Sequence, residues 1–557
     1  MMYSRTGFTT ACLLALVLVS ACGTSGTGST ADFSESGSVA AFEQLPFVSN
    51  EQLGMFNYIH SISVTPPDAI NSEDWGPDLP FGVAAGAGAP GGAVNMHRYT
   101  IAFTGYGVSM LAEHTPAYRE RYLETMDGMI QKLLNPLVWE YWLRGDELGF
   151  DWGGDNPIHP YNIMYTAHLQ LLMAFYERQA GDRKYIDNDV ELTTADGSQT
   201  WTTNLADLSR DIHQQSLANK DTNGDNFYSV ACETPWVFTC CNTIAQLAFA
   251  ILPDSIDLDA AAANTRFVEW HGEHMLDPET KYYYQRYKPY EEVPEFDTNL
   301  PGAYSSWAHH FMHGFAPEFV EEHYPAFIDN AIEMVEPGAG IVSFGSNRNG
   351  EFEAPGLADM IGTGYAAVLT REMGDADSYA LLRNGFDAVA GERIWVGSHY
   401  GYLNRSYWPV FMVFPNGFTL WAEATTAENN FRSVVEDPRG PEFYAQPFVA
   451  QVSNRDAFVN QAVWDDPVLY VTVNGADVTT ETTDLVLRNL DENGAYRVYI
   501  GEEVYTDWTR SGTELTITTP ALSSGLCDGP VSIELLTPFA EQMDVAVISQ
   551  DDGFLAI

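Results

Sequence analysis

Positive charge is what this chain has least of. Lys and Arg together number 26 against 76 Asp and Glu, a formal net charge of -50 over 557 residues. A field of that sign repels phosphate backbones and anionic headgroups, which excludes nucleic-acid binding by charge neutralisation. The acidic residues are scattered rather than run together, so the excess reads as a solvating surface. Long apolar runs are also missing: past the N-terminus no segment reaches the about 18 apolar residues of a membrane-spanning helix. Cysteine is sparse, with six residues. The stretch from Cys232 to Asn242 holds no CxxC pair, which argues against structural zinc, so no metal is expected. With 46 Gly and 29 Pro the chain has too little of either for a collagenous or low-complexity protein.

What is present is a large apolar complement, 45% hydrophobic and 13% aromatic, enough for a sizeable core. The chain opens with Met1-Met2-Tyr3-Ser4-Arg5, continues through an apolar stretch from Ala11 to Val19, and reaches Ser20-Ala21-Cys22-Gly23. A basic start, a short apolar region and small residues make an export signal over 1–22. Val19-Ser20-Ala21-Cys22 resembles the bacterial lipobox, with Val19 where Leu is usual, and the resemblance implies lipidation at Cys22. Residues 23–45, rich in Gly, Ser and Thr at first, read as a flexible tether. The expected location is the bacterial cell envelope, periplasmic or outer-membrane, held to the membrane by an N-terminal lipid anchor. A plain secretory signal is the alternative.

Apolar residues then recur at helical spacing over Tyr118 to Leu134, Asn162 to Gln179, Asn204 to Leu217, Thr243 to Ile251, Tyr324 to Val335, Asp359 to Met373 and Ser378 to Val389. From about Pro441 the texture changes to short alternating runs: Val468 to Val473, Asp484 to Arg488, Tyr496 to Ile500, Glu514 to Thr518 and Val531 to Leu536. The fold class is mainly α, with a helical body over 46–435 and a small β-sandwich-like domain over 442–557, divided at the polar stretch Glu436 to Pro441. Paired helices filling most of the body suit a toroid of helical hairpins.

Beyond the signal, the cysteines are Cys232, Cys240, Cys241 and Cys527. In an exported chain they invite a disulfide reading. A resemblance supplies another. Asn162-Ile163-Met164-Tyr165-Thr166-Ala167-His168-Leu169, the pairs Cys232-Glu233 and Cys241-Asn242, and Arg371-Glu372-Met373-Gly374-Asp375 resemble stretches of the bacterial linalool dehydratase/isomerase family. Asn57-Tyr58-Ile59, Tyr99 to Phe103, and Ala303-Tyr304-Ser305-Ser306 with His313-Gly314 follow the same order, over roughly residues 52–390.

The resemblance implies an (α/α)6 barrel, a buried apolar pocket and a homo-oligomer. It implies a hydro-lyase or intramolecular isomerase that needs no cofactor and dehydrates or rearranges a small hydrophobic, terpenoid-like allylic alcohol. Carried over by position, Cys232 and Cys241 are the active-site cysteines, His168 the pocket histidine, and Tyr99, Met164 and Tyr304 contact substrate. Trp307 stands one position from the family's pocket tryptophan. Where the family has an aspartate after Asn-Tyr-Ile this chain has His60, a candidate replacement acid, and the family's nearby tyrosine falls at about Pro66. The chemistry agrees: dehydration needs an acid for the hydroxyl and a base for a carbon-bound proton, within a cavity that excludes water. Thiol, thiolate and imidazole exchange such roles near neutral pH. On one helix Met164 and His168, four apart, share a face. The bland alternatives are a Cys232–Cys241 disulfide, a core histidine at 168, and packing for Cys240 and the aromatics.

Three other constellations draw notice. Asp221 to Asn226 has the alternating oxygens of a calcium loop, but Cys232 stands where the closing glutamate belongs, so a turn is expected. His271-Gly272-Glu273-His274 lacks the HExxH order and reads as a solvated helix end. Asp146, Glu147, Asp151 and Asp155 beside Trp139, Trp142 and Trp152 could suit sugar hydrolysis by paired carboxylates, although a loop rim is the plainer reading. That group keeps an envelope-anchored carbohydrate-active barrel in view as an alternative, alongside a noncatalytic binding protein on the same scaffold.

Overall fold

The computed structural model describes residues 44–519 apart from 69–96, 145–153, 233–235, 253–255, 298, 344–358, 404–412, 456, 467, 476–481, 495 and 501–502, together with 543–549. The export signal with Cys22, Cys527 and the strand expected from Val531 lie outside the described residues.

Among the described residues, twelve helices of twelve residues or more follow one another: α1 (Asn50–Ser63), α2 (His97–His114), α3 (Glu120–Leu133), α4 (Ile163–Ala180), α5 (Leu205–Ala218), α6 (Thr239–Ile251), α7 (Ala260–His274), α8 (Gly302–His313), α9 (Pro317–Ala331), α10 (Asp359–Glu372), α11 (Ala376–Ala390) and α12 (Val413–Ala424). The even-numbered helices pack each on the next, α2 through α12, and α12 returns to α2, closing a ring. The odd-numbered helices lie outside them: α3 on α2 and α4, α5 on α4 and α6, α7 on α6, α9 on α8, α11 on α10, and α1 on α3 and α12.

Sequence explains which helix goes where. On α3 the buried residues Tyr122, Met126, Met129, Ile130 and Leu133 recur every three or four positions, and such a one-sided stripe needs one covered face. In contrast, α2 is buried without interruption from Arg98 to Ala112, and α4 from Ile163 to Gln179. Helices apolar all round belong inside. The ring closes tightly because α2 and α12 meet at small residues: a Cβ on Gly417 would come within 2.6 Å of Thr104 Oγ1 and 3.1 Å of its Cα.

A side chain in the first turns of four inner helices holds the segment that leads into that helix. Asn242 of α6 accepts the Val230 N–H at 2.8 Å, Ser305 of α8 that of Tyr283 at 3.0 Å, Thr363 of α10 that of Val342 at 3.0 Å, and Asn416 of α12 that of Tyr402 at 2.7 Å. Three of these segments contain two-stranded hairpins: β3 (Tyr287–Lys288) with β4 (Glu295–Phe296), β5 (Glu333–Glu336) with β6 (Ala339–Ile341), and β7 (Arg393–Val396) with β8 (His399–Tyr402). A first hairpin, β1 (Val190–Thr193) with β2 (Thr200–Thr203), follows α4. The fastened segments gather at the N-terminal ends of the inner helices, where the candidate site lies.

The C-terminal region forms two antiparallel sheets. One has the order β10-β11-β17-β13-β14, built from Ala457–Asp465, Val468–Gly475, Met543–Ser549, Tyr496–Ile500 and Glu503–Tyr505. The other has the order β15-β16-β12-β9, from Trp508–Ser511, Glu514–Thr518, Asp484–Arg488 and Phe448–Val452. This region is joined to the helices through main-chain hydrogen bonds from Val48 to Asn460 at 2.9 Å, from Ala117 to Ala462 at 2.9 Å, and from Val449 to Ala117 at 2.7 Å. The polar stretch expected as a linker is pinned, not loose: Arg439 pairs with the mostly covered Glu113 at 2.6 Å, which also holds Arg178 at 3.1 Å.

Candidate active site

Cys232 and Cys241 come together. Their sulfurs are 3.2 Å apart, not joined as a disulfide, and both residues are buried. Two anchors set this spacing. Cys241 sits in the first turn of α6, and its neighbour Asn242 reaches back to Val230, accepting its N–H and donating to its carbonyl at 3.0 Å. Cys232 lies in an extended segment that forms a bridge with Asn162, the residue capping α4, and its own N–H reaches the Trp236 carbonyl at 2.6 Å. Cys240, expected only to pack, adds a third buried thiol with its sulfur 4.0 Å from that of Cys241.

The Cys241 thiol is held below its ordinary range. Hydrogen bonds from Cys232 and then Cys240 favour its thiolate, burial opposes it, and the Arg98 charge adds to the lowering. Burial drives Cys240 the other way, so it stays protonated. Arg98 is fully buried at the start of α2, its guanidinium 4.3 Å over the Tyr99 ring and 4.4 Å over Tyr141. Its Nη2 donates to the Tyr99 hydroxyl at 3.2 Å. Tyr141 in turn donates to Asn162 at 2.6 Å, so the cation and the Cys232 bridge share one framework.

The wall beside the thiols is aromatic. The Tyr99 hydroxyl reaches Met164 Sδ at 2.7 Å, and its ring meets His168 and Trp307 edge-on at 5.4 and 5.8 Å. Phe103 stands edge-on to both, at 5.6 and 5.5 Å. His168 is fully buried; its Nδ1 shares a 2.7 Å hydrogen bond with the Tyr106 hydroxyl, while its Nε2 has no protein partner among the described residues. Burial, then the Arg98 charge, keeps the ring well below the usual histidine range and neutral. Tyr304 is half-buried, edge-on to Phe238 at 6.1 Å, just ahead of the cysteine helix.

Not every expected residue joins this cluster. His60 lies on the outer helix α1 and turns to α3, with Nδ1 2.9 Å from Thr125 Oγ1 and Nε2 3.5 Å from Glu124. Burial, then Arg121 and Arg455, lower its pKa to about 3, so it is neutral and poorly placed as a replacement acid beside the thiols. Pro66 serves another purpose, its carbonyl accepting from Lys132 Nζ at 3.0 Å.

His271 is no solvated helix end. It is fully buried, with Nε2 2.6 Å from Ser229 Oγ and Nδ1 2.9 Å from Thr239 Oγ1, so it ties together the two segments that carry the thiols. His274 is exposed and stacks on Trp270 at 5.0 Å. Asp221 makes a turn: Oδ1 accepts the N–H groups of Asn223 and Asp225 at 2.8 and 3.0 Å, and Oδ2 accepts from Tyr287 at 2.8 Å. Of the candidate sugar-binding group, Asp146, Glu147, Asp151 and Trp152 lie outside the described residues, while Trp139 and Trp142 are core residues that cannot rim an open cleft.

Sequence reading missed Arg98, Tyr106 and Tyr141, and took His271 for a solvated residue. Arg98 alone left a signal, a charged residue at the head of an otherwise apolar helix.

Among solved structures, the chain is similar to an α-1,6-mannanase of Salegentibacter sp. HEL1_6, at 12% identity over 60% of this chain and 89% of that one, with a TM-score of 0.35. It is also similar to an unsaturated glucuronyl hydrolase of Bacillus sp. GL1, at 10% identity over 67% of this chain and 95% of that one, with a TM-score of 0.38. Both scores are below 0.5, so neither bears on what the chain does. A family model does: the one described as linalool dehydratase/isomerase matches residues 98–408, more than half of the chain. That span begins at Arg98, after His60, and takes in all three clustered thiols, His168 and the aromatic wall. The chain therefore belongs to the linalool dehydratase/isomerase family.

Proposed function

We propose that this chain is a cofactor-free lyase or isomerase that dehydrates or rearranges a small hydrophobic allylic alcohol, with Cys232 and Cys241 as its proton-transfer pair. The observation that carries the reading is the pair of buried sulfurs 3.2 Å apart and not joined as a disulfide, one of them pushed toward thiolate. Cys241 thiolate takes a proton from carbon, Cys232 gives its proton to the departing hydroxyl, and the C–O bond breaks to release water. The proton on Cys241 then crosses to Cys232 and restores the starting state. Tyr99, Phe103 and Trp307 face the positive charge that develops on the allylic carbons with ring π-systems. His168, neutral and held by Tyr106, is an orienting group, and Met164 and Tyr304 are substrate contacts.

The same reading takes the closed ring of six inner and six outer helices as an (α/α)6 barrel, with the two C-terminal sheets a sandwich-like appendage. It places the protein in the bacterial envelope, anchored at a lipidated Cys22 and assembled as a homo-oligomer.

The test uses protein lacking residues 1–22, kept reduced, a panel of allylic alcohols, and gas chromatography of the products. Alkene or rearranged alcohol that disappears in Cys232→Ala is the expected result. A panel without turnover, from folded protein with titratable thiols, overturns the reading.

A further inference from the structure

With His60 turned away toward α3, the described residues leave open which group holds the substrate oxygen. Tyr365 on α10 is fully buried, and its hydroxyl has no hydrogen-bond partner among the described residues. Its ring stacks on Trp307 at 5.0 Å and meets Phe103 and Phe418 edge-on at 5.2 and 5.1 Å, so it belongs to the same aromatic wall as His168 and Tyr99. Two further polar groups on this wall, Trp307 Nε1 and His168 Nε2, are likewise buried and without a protein partner there. Buried polar groups are nearly always hydrogen-bonded, and an unpaired one costs about 1–3 kcal/mol. Three on one apolar wall point to a ligand that carries oxygen.

We propose that the Tyr365 hydroxyl donates the hydrogen bond that holds the substrate oxygen, so that the site selects an alcohol over a hydrocarbon of the same skeleton. This rests on the alcohol-binding reading above and names a residue that nothing else assigns. Burial raises the Tyr365 phenol well above its ordinary range, with Tyr106, Cys240, Tyr99 and Cys241 adding to the rise. It therefore stays protonated and donates; the proton for the leaving group still comes from Cys232. Tyr365 is a binding and orienting residue on the ring wall, within electrostatic reach of the Cys240 and Cys241 thiols.

The experiment measures binding by calorimetry, with reduced protein lacking residues 1–22 and Cys232→Ala to prevent turnover. The probes are linalool and myrcene, which share a skeleton and differ by the elements of water. Tyr365→Phe removes one oxygen that has no partner to lose, so the variant is expected to fold with an unchanged or raised melting temperature. The expected result is that the parent prefers linalool, and that Tyr365→Phe weakens linalool about tenfold while leaving myrcene unchanged. Equal binding of both probes by the parent, or linalool binding untouched by Tyr365→Phe, overturns the assignment and leaves the pocket reading standing. Binding of neither probe to the parent overturns both.

Discussion

Asn242 holds Val230 through both of its backbone groups, at 2.8 Å to the N–H and 3.0 Å to the carbonyl, and each residue lies within two positions of one of the paired cysteines. The distance between the sulfurs is thus set by one amide and one stretch of backbone. His271 adds a second tie through Ser229 and Thr239. Together Asn242 and His271 hold the two thiol-bearing segments in place.

Asn242→Ala leaves two buried backbone groups unpaired and is expected to cost about 2–4 kcal/mol in urea unfolding. Asn416→Ala removes the equivalent hold on Tyr402, where Oδ1 accepts at 2.7 Å and Nδ2 donates at 3.1 Å, and serves as the control. Both variants should lose comparable stability, while the reaction of thiols with a disulfide reagent should change only for Asn242→Ala. Identical thiol kinetics in the two would show that the Asn242 clamp does not set the sulfur geometry.

Cys241 owes its lowered pKa first to the hydrogen bond from Cys232. Removing that donor in Cys232→Ala raises the Cys241 pKa, so the thiolate fraction at neutral pH falls. Thiolate ultraviolet absorbance, followed through a pH titration, reads this directly, with the midpoint moving to higher pH. A midpoint that stays in place would instead assign the lowering to Cys240 and Arg98.

The outer helix α3 and the strands of the β region were legible in sequence because each has one wet face, while the inner helices α4, α6 and α10 were legible from apolar residues at helical spacing although neighbours bury them. α3 was expected from Tyr118 to Leu134 and spans Glu120–Leu133, and the strands Asp484–Arg488, Tyr496–Ile500 and Glu514–Thr518 fall as expected. The inner helices α2, α8 and α12 carry no wet face to mark them and were not read from the sequence, and neither were the outer helices α1 and α7. The segment expected as helix from Tyr324 to Val335 instead begins at Pro317, with Pro325 inside it, and gives way to β5 at Glu333. A proline within a helical pattern usually marks its start or end, which misplaced that boundary. Two hairpin turns were readable and passed over: Pro337-Gly338, with Gly338 at φ 85°, and Gly397-Ser398, with Gly397 at φ 57°. In the site, the cysteines and His168 stood out by residue type. The placement of His60 against α3 follows from which face of α1 is buried there, a fact of packing that no local pattern contains.

Acid should act on the molecule through Glu372. Its carboxylate lies in the core between His310 and His313, at 3.2 and 3.0 Å, and accepts the Phe431 N–H at 3.2 Å. Burial alone would raise its pKa, but the two histidines outweigh burial and bring it to about 2. Because the folded value lies below the unfolded one, the folded state gains from ionisation of Glu372 above about pH 4.5, and that gain is lost as pH falls toward 2. The difference corresponds to about 3 kcal/mol. Glu372→Gln keeps the shape and removes the titration. Urea unfolding at pH 6 and pH 3 should therefore show the variant less stable than the parent at pH 6, with most of that gap closed at pH 3. A gap of constant size would mean that the carboxylate contributes by shape and hydrogen bonding alone, and that the acid sensitivity of the fold arises elsewhere.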